Sequence, residues 1–157
     1  MIHSVRYGDI LNDTRASYIV NPVNCVGVMG AGLAKAFKDR FGGAYFNEYV
    51  HDCMIGNLIP GTATTWWTAR RLPDGSLQRV INLPTKRHWH DRSNVDDIAN
   101  ACKFVYREIL LPGQSIALPM LGCGLGGLRW ADVRPVVVDA FGGFETVDGW
   151  LYEVNDG

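Results

Sequence analysis

The chain has 157 residues, 47% hydrophobic and 20% charged, enough for one domain with a core that needs no staples. Its 15 Lys and Arg against 16 Asp and Glu leave a net charge of -1, so no global field draws it to nucleic acid or an anionic membrane, and any anion must be held by a local site. No apolar run approaches the ~18 residues of a membrane span, and the opening MIHSV reads as a strand rather than a signal peptide, so a cytoplasmic protein is expected.

Along the chain, residues 2–6 are β-prone and end at Gly8-Asp9. Residues 17–21 (SYIVN) form a compact apolar strand, followed by the glycine-rich PVNCVGVMGAG. The next run, GLAKAFKDRFGG, has Leu33, Ala36, Phe37 and Phe41 at helical spacing, with Gly42-Gly43 as a stop. A second helix is expected over residues 45–54, with Phe46, Tyr49, Val50 and Cys53 on one face. Residues 62–68 (TATTWWT) and 78–83 flank the turn signal PDGS and read as a hairpin. After the polar loop TKRHWHDR, Ser93 and Asp96 form an expected capping box for a long helix striped by Val95, Ile98, Cys102, Val105, Tyr106 and Ile109. Residues 115–119 (SIALP) read as a buried strand running into LGCGLGG. A helix over 130–141 and a strand over 146–154 complete the chain, with no repeat or linker. The alternation predicts an α/β sandwich around a mixed sheet.

Two glycine-rich loops, residues 27–32 and 122–127, each follow an apolar strand and lead toward a helix. Glycines let backbone amides approach a phosphate, and a helix start favours negative charge. A pair of such loops can grip a diphosphate from opposite sides. Neither contains GK[ST], and the first is not spaced as GxGxxG, so a nucleotide-hydrolysing or dinucleotide fold is not indicated and no cofactor is expected. Cys25, Cys53, Cys102 and Cys123 include no CxxC pair, and His88-x-His90 lacks further close ligands, so no metal site is expected.

The runs NPVNCVGVMGAGLAKAFKDRFG, LPTKRHWHDRS and LPMLGCGLGGLRWADVRP resemble macrodomains, and within them the branch of DNA ADP-ribosyl glycohydrolase antitoxins, the DarG-like branch. The human terminal ADP-ribose glycohydrolase macrodomain is a more distant match. The resemblance covers residues 2–154 and implies one macrodomain over 1–157, a three-layer sandwich with a central mixed sheet and helices on both faces. It implies ADP-ribose as ligand and, as substrate, ADP-ribosylated single-stranded DNA modified at thymidine. Asp9 and Ile10 match the adenine contacts, and Asn24 the distal-ribose contact. Val28, Met29, Gly30, Gly32 and Leu33 match the first phosphate loop. Pro119, Leu121, Gly122, Cys123, Gly124, Leu125 and Gly126 match the second, with Cys123 a small loop residue rather than a nucleophile.

Lys86 matches the lysine that attacks or polarises the anomeric carbon of the distal ribose in that branch. Breaking that bond builds oxocarbenium character, and an uncharged amine can add there as a nucleophile. The human relative has an aspartate where this chain has Gly126, so the general acid/base is unassigned. Ala31 stands where DarG-like chains commonly have lysine. Around Lys86, the residues Arg87, His88, Trp89, His90 and Arg92 interleave cations with an aromatic, a pattern suited to a single strand or equally to a solvated loop. A DarT-type toxin is the implied partner. The toxin-binding region of larger relatives is expected to be absent or housed elsewhere. A non-catalytic ADP-ribose reader, and a macrodomain acting on protein-linked ADP-ribose or ADP-ribose-1″-phosphate, are the alternative functions.

Overall fold

A computed structural model describes residues 1–154; the expected domain of 1–157 also takes in 155–157, which lie outside the described residues. Six strands form one sheet: β1 (Ile2–Val5), β2 (Tyr18–Val23), β3 (Thr64–Arg71), β4 (Leu77–Pro84), β5 (Ser115–Leu118) and β6 (Asp148–Tyr152). Their order is β1-β6-β5-β2-β4-β3. All neighbours run parallel except the β3–β4 hairpin, so the sheet is mixed as expected.

Side-chain alternation along the strands divides the core into two layers. Ile19 and Val23 of β2 and Val80 of β4 face helix α1 (Gly32–Met54), packing with Phe37, Tyr45 and Tyr49. Tyr18, Val20, Ile81 and Leu83 face α2 (Val95–Phe104) and α3 (Trp130–Ala140), packing with Ile98, Cys102, Val133 and Val137. Polar residues share the α1 layer where strands are in register. Asn21 pairs with Asn82, which pairs with Thr64. The buried Tyr45 hydroxyl links them, accepting from Asn21 Nδ2 at 2.8 Å and donating to Asn82 Oδ1. A phenol there gives the buried Asn21 Nδ2 and Asn82 Oδ1 a partner each, while Asn21 Oδ1 has none among the described residues.

The two expected helices before the hairpin are both present within α1 and meet at Gly42, whose φ of 84° and ψ of -167° are non-helical. Glycine takes that left-handed φ without a Cβ penalty, so the first helix stops at Gly42 and the chain bends there into the second. β2 extends two residues beyond the expected strand, through Pro22 and Val23. Pro22 lacks an amide hydrogen, but β2 pairs with β5 only at Tyr18 and Ile19, so no ladder bond to β5 is lost there.

The expected capping box at Ser93 is corrected: Asn94 is the N-cap, its side chain accepting from the Asp97 amide at 3.1 Å. Ser93 is buried and engaged elsewhere. The apolar stripe continues past α2 as a single π-helical turn, Val105–Ile109, closed by the Leu110 amide on Val105 O at 3.0 Å. That turn rotates the stripe, leaving Val105 buried but Tyr106 and Ile109 only partly covered.

The end of the sheet is fastened to α3 by Glu153. Its Oε1 accepts from Trp130 Nε1 and from Arg134 Nε, both at 2.8 Å. Burial pushes this carboxyl up, but hydrogen bonds from Arg134, Trp130 and Ser4 outweigh it and hold the pKa below the usual glutamate value. A lowered folded pKa adds stability above the unfolded value, lost as the pH falls through the folded one. Glu153→Gln is therefore expected to cost about 1–2 kcal/mol in denaturant unfolding at pH 7. The difference from the parent should narrow below about pH 4.

Candidate active-site cleft

β2 and β5 are neighbours whose following helices lie on opposite faces, α1 on one and α3 on the other. Their pairing ends at Ile19 and Ala117, so their carboxyl ends separate, the position where open α/β sheets bind ligands. A cleft of about 840 Å³ opens there.

One wall is the loop after β2. Asn24, Val28, Met29, Gly30, Gly32 and Leu33 all line it, as do Ala31 and Ala34. Asn24 shapes this loop: its Oδ1 accepts from the Val26 amide at 3.1 Å and from Tyr49 Oη at 2.8 Å, and its Nδ2 donates to Val28 O at 2.8 Å. One amide hydrogen remains for a ligand. α1 begins here with no side-chain cap and no acidic residue in its first turn. Its first amides therefore face the cleft without an internal acceptor.

The opposite wall is the loop after β5, where Pro119, Gly122, Gly124, Leu125 and Gly126 line the cleft. Among the described residues, the amides of Gly124, Leu125 and Gly126 have no protein acceptor. The walls meet across the mouth, with Leu125 Cδ1 lying 3.8 Å from where a Cβ on Gly32 would stand. Gly126 is compelled by packing. A Cβ there would overlap the Ser93 hydroxyl and come within 2.6 Å of Gly122 O. The missing acid at this position thus has a steric cause.

Lys86 lies between the walls. The β2–β4 ladder runs on past both strands, through the Thr85 amide on Val23 O at 3.0 Å and the Cys25 amide on Arg87 O at 2.8 Å. This brings Lys86 level with Asn24. The lysine is half-buried, lines the cleft, and has no hydrogen-bond or ion-pair partner for its ammonium among the described residues. It is also the one charged side chain among the lining residues. Trp89 forms the rim, 59% exposed. Its loop is ordered by Asp91, which accepts from the His88 amide at 3.2 Å and contacts His90 Nδ1 at 3.1 Å, while the His88 and His90 rings stack. The His88 amide and the neighbouring histidines hold the exposed Asp91 carboxyl below its usual range.

Several expected contacts stand outside the lining. Leu121 is fully buried and anchors its loop, and Cys123 Sγ contacts Leu121 O at 3.3 Å. Arg87, His88 and His90 are exposed on the outer loop. Arg92 is tied back, donating from Nη2 to Gly127 O at 3.0 Å. Asp9 caps its own turn, its carboxylate accepting from the Leu11 amide at 3.0 Å and Asn12 Nδ2 at 2.6 Å, while Ile10 packs in the α1 layer.

Sequence reasoning missed Thr85, Ser93 and Tyr152, all of which line the cleft. Tyr152 lies in the last strand and nothing local marks it. Its hydroxyl donates to Asp13 Oδ1 at 2.6 Å, so it joins the cleft to the Asp9 turn, and burial followed by that aspartate pushes its pKa up to about 12. Ser93 was legible only as a cap.

A Macro domain family model matches residues 20–137, and the chain belongs to that family. Within it, the chain is 37% identical over 154 residues to the DNA ADP-ribosyl glycohydrolase of Thermus aquaticus, covering 98% of this chain and 41% of that protein. The solved macrodomain of Mycobacterium tuberculosis DarG superposes with a TM-score of 0.83 at 37% identity, covering 99% of each chain. Thermosipho africanus DarTG in complex with ADP-ribose superposes with a TM-score of 0.79 at 28% identity, covering 95% of this chain and 42% of that one. The chain thus spans about two fifths of the length of the DNA ADP-ribosyl glycohydrolases it matches. No helix among the described residues is long and apolar enough to cross a membrane.

Because both obstacles at position 126 are close and one is backbone, Gly126→Ala is expected to destabilise the fold by about 1–3 kcal/mol. Thermal unfolding beside Gly124→Ala, where a Cβ meets nothing within 4 Å, is the check.

Proposed function

We propose that this chain is an ADP-ribosyl glycohydrolase that releases ADP-ribose from modified DNA, with thymidine as the modified base. The observation that carries the reading is a cleft in which Lys86 is the one charged side chain among the described residues, set between two walls of backbone amides. The diphosphate lies between the amides of Gly30, Gly32 and Leu33 and those of Gly124, Leu125 and Gly126. Asn24 uses its remaining amide hydrogen on the distal ribose. The adenine end lies toward Tyr152, with Asp9 and Ile10 on the loop that Asp13 joins to it.

Retaining glycosidases use paired carboxylates. Among the described residues no carboxylate lines this cleft, which favours Lys86 as the nucleophile. Once its ammonium has given a proton to solvent, the amine bonds to C1″ as the bond from C1″ to the base breaks. The electron pair goes to the base, which takes the proton that the amine gives up. Water then replaces the lysine. The names of the relatives support this reading, since two of the matched proteins are called DNA ADP-ribosyl glycohydrolases. A 32% identical relative from Thermosipho africanus is named a DNA ADP-ribosyl transferase–DNA ADP-ribosyl glycohydrolase fusion, which supports a DarT-type partner. We place the protein in the cytoplasm and read residues 1–157 as one macrodomain.

The same absence of a carboxylate favours a second reading, a reader that binds ADP-ribose without turnover. Release of ADP-ribose from ADP-ribosylated thymidine oligonucleotide separates the two. Lys86→Ala is expected to lower release on the order of 100-fold or more while calorimetry shows ADP-ribose binding within a few-fold of the parent. Tight binding by the parent without release would establish the reader.

Trp89 stands at the rim as a stacking surface for the modified or flanking base, with Arg87, His88 and His90 exposed beside it; Arg92, fixed to the second wall, adds charge there. Stacking on an aromatic contributes about 1–3 kcal/mol per base. Trp89→Ala is therefore expected to raise KM for the oligonucleotide about tenfold with ADP-ribose affinity unchanged. An unchanged KM would remove Trp89 from substrate binding.

A further inference from the structure

Once Lys86 is bonded to C1″, a water must displace it, and among the described residues no carboxylate lines the cleft to hold that water. Tyr152, the other ionisable side chain in the lining, is tied to Asp13. Two buried hydroxyls remain in the lining that Lys86 shares, those of Thr85 and Ser93.

Ser93 is not placed there by helix capping, since Asn94 caps α2. Three contacts fix it instead. Its amide donates to Gly126 O at 3.0 Å, its Oγ occupies the space that a side chain on residue 126 would need, and its Oγ donates to Thr85 Oγ1 at 3.4 Å. Thr85 immediately precedes Lys86, and its carbonyl accepts from the Asn94 amide at 3.0 Å. One serine thus connects the second glycine wall to the segment that bears the lysine. Because its hydrogen points to Thr85, the lone pairs of its oxygen stay open to accept from a third group.

We infer that the Ser93 hydroxyl, backed by Thr85, seats the water that releases ADP-ribose from Lys86. This rests on the glycohydrolase reading. The water donates one hydrogen to Ser93 Oγ, which aims its lone pair at C1″. The C1″–O bond forms as the C1″–N bond breaks, and the water's other proton returns to the lysine nitrogen. Sugar hydroxyl and neutral amine are regenerated, with no oxidant or further reactant. Ser93 is a catalytic residue of the second step alone, so its loss should stall the enzyme after the first.

The test is a single-turnover reaction with ADP-ribosylated thymidine oligonucleotide, quenched in acid and read by intact-protein mass. The parent releases ADP-ribose without accumulating an adduct. Ser93→Ala is expected to lower kcat on the order of 10–100-fold and to accumulate ADP-ribose covalently on Lys86. ADP-ribose affinity and melting temperature should stay near the parent's, because the backbone contact to Gly126 survives. Ser93→Cys keeps the side-chain shape, with a somewhat larger atom that accepts hydrogen bonds weakly, and should give the same adduct. An active parent whose Ser93 variants show no adduct, or no loss of rate, overturns this role alone. A parent that releases nothing overturns the glycohydrolase reading and this step with it.

Discussion

The constraint on which the rest depends is the parting of β2 and β5 after Ile19 and Ala117. Two adjacent parallel strands hydrogen-bond for two registered pairs and then diverge, because the chain leaves one toward α1 and the other toward α3, on opposite faces of the sheet. Each exit must turn sharply at the sheet's edge, and each uses glycine-rich backbone to do so. The result is a slot walled by amides rather than side chains. Amides suit a diphosphate because they offer several fixed donors at close approach without bringing a neutralising charge of their own. The buried Asn21–Tyr45–Asn82 link holds the strands below the slot in register, and Tyr49 fixes Asn24 at its lip.

Electrostatically the slot is spare. Among the described residues one ammonium faces it and no carboxylate does, so nothing in that lining neutralises the charge before a ligand arrives. Packing and chemistry are joined at Gly126. The contact that brings Ser93 against the second wall is the contact that bars a side chain there. The space a side chain on residue 126 would need is filled by a hydroxyl from a different segment. The exposed Trp89 loop adds a flat apolar surface at the mouth, next to the amine, where the group leaving C1″ would sit.

Much of this was legible in the sequence, for definite reasons. Strand period, the Pro-Asp-Gly-Ser turn and the helical stripes reflect local physics, and each element formed within a few residues of its expected bounds. The two glycine loops were readable because backbone chemistry leaves a compositional mark. Other features depended on tertiary contacts. Ser93 looked like a cap, and only its proximity to Gly126, 33 positions along the chain, removes it from that role. Tyr152 reaches the cleft because β6 lies beside β5, which no window of sequence contains. Cations grouped in sequence around Trp89 also separate in space, with Lys86 facing the cleft and Arg92 fixed to Gly127.

The most direct measurement is a crystal structure of the protein soaked with ADP-ribose. The account predicts the diphosphate between the amides of Gly30, Gly32 and Leu33 and those of Gly124, Leu125 and Gly126, with Lys86 Nζ about 3–3.5 Å from C1″ of the terminal ribose. A terminal ribose turned away from Lys86, or a diphosphate held outside the two walls, would contradict it.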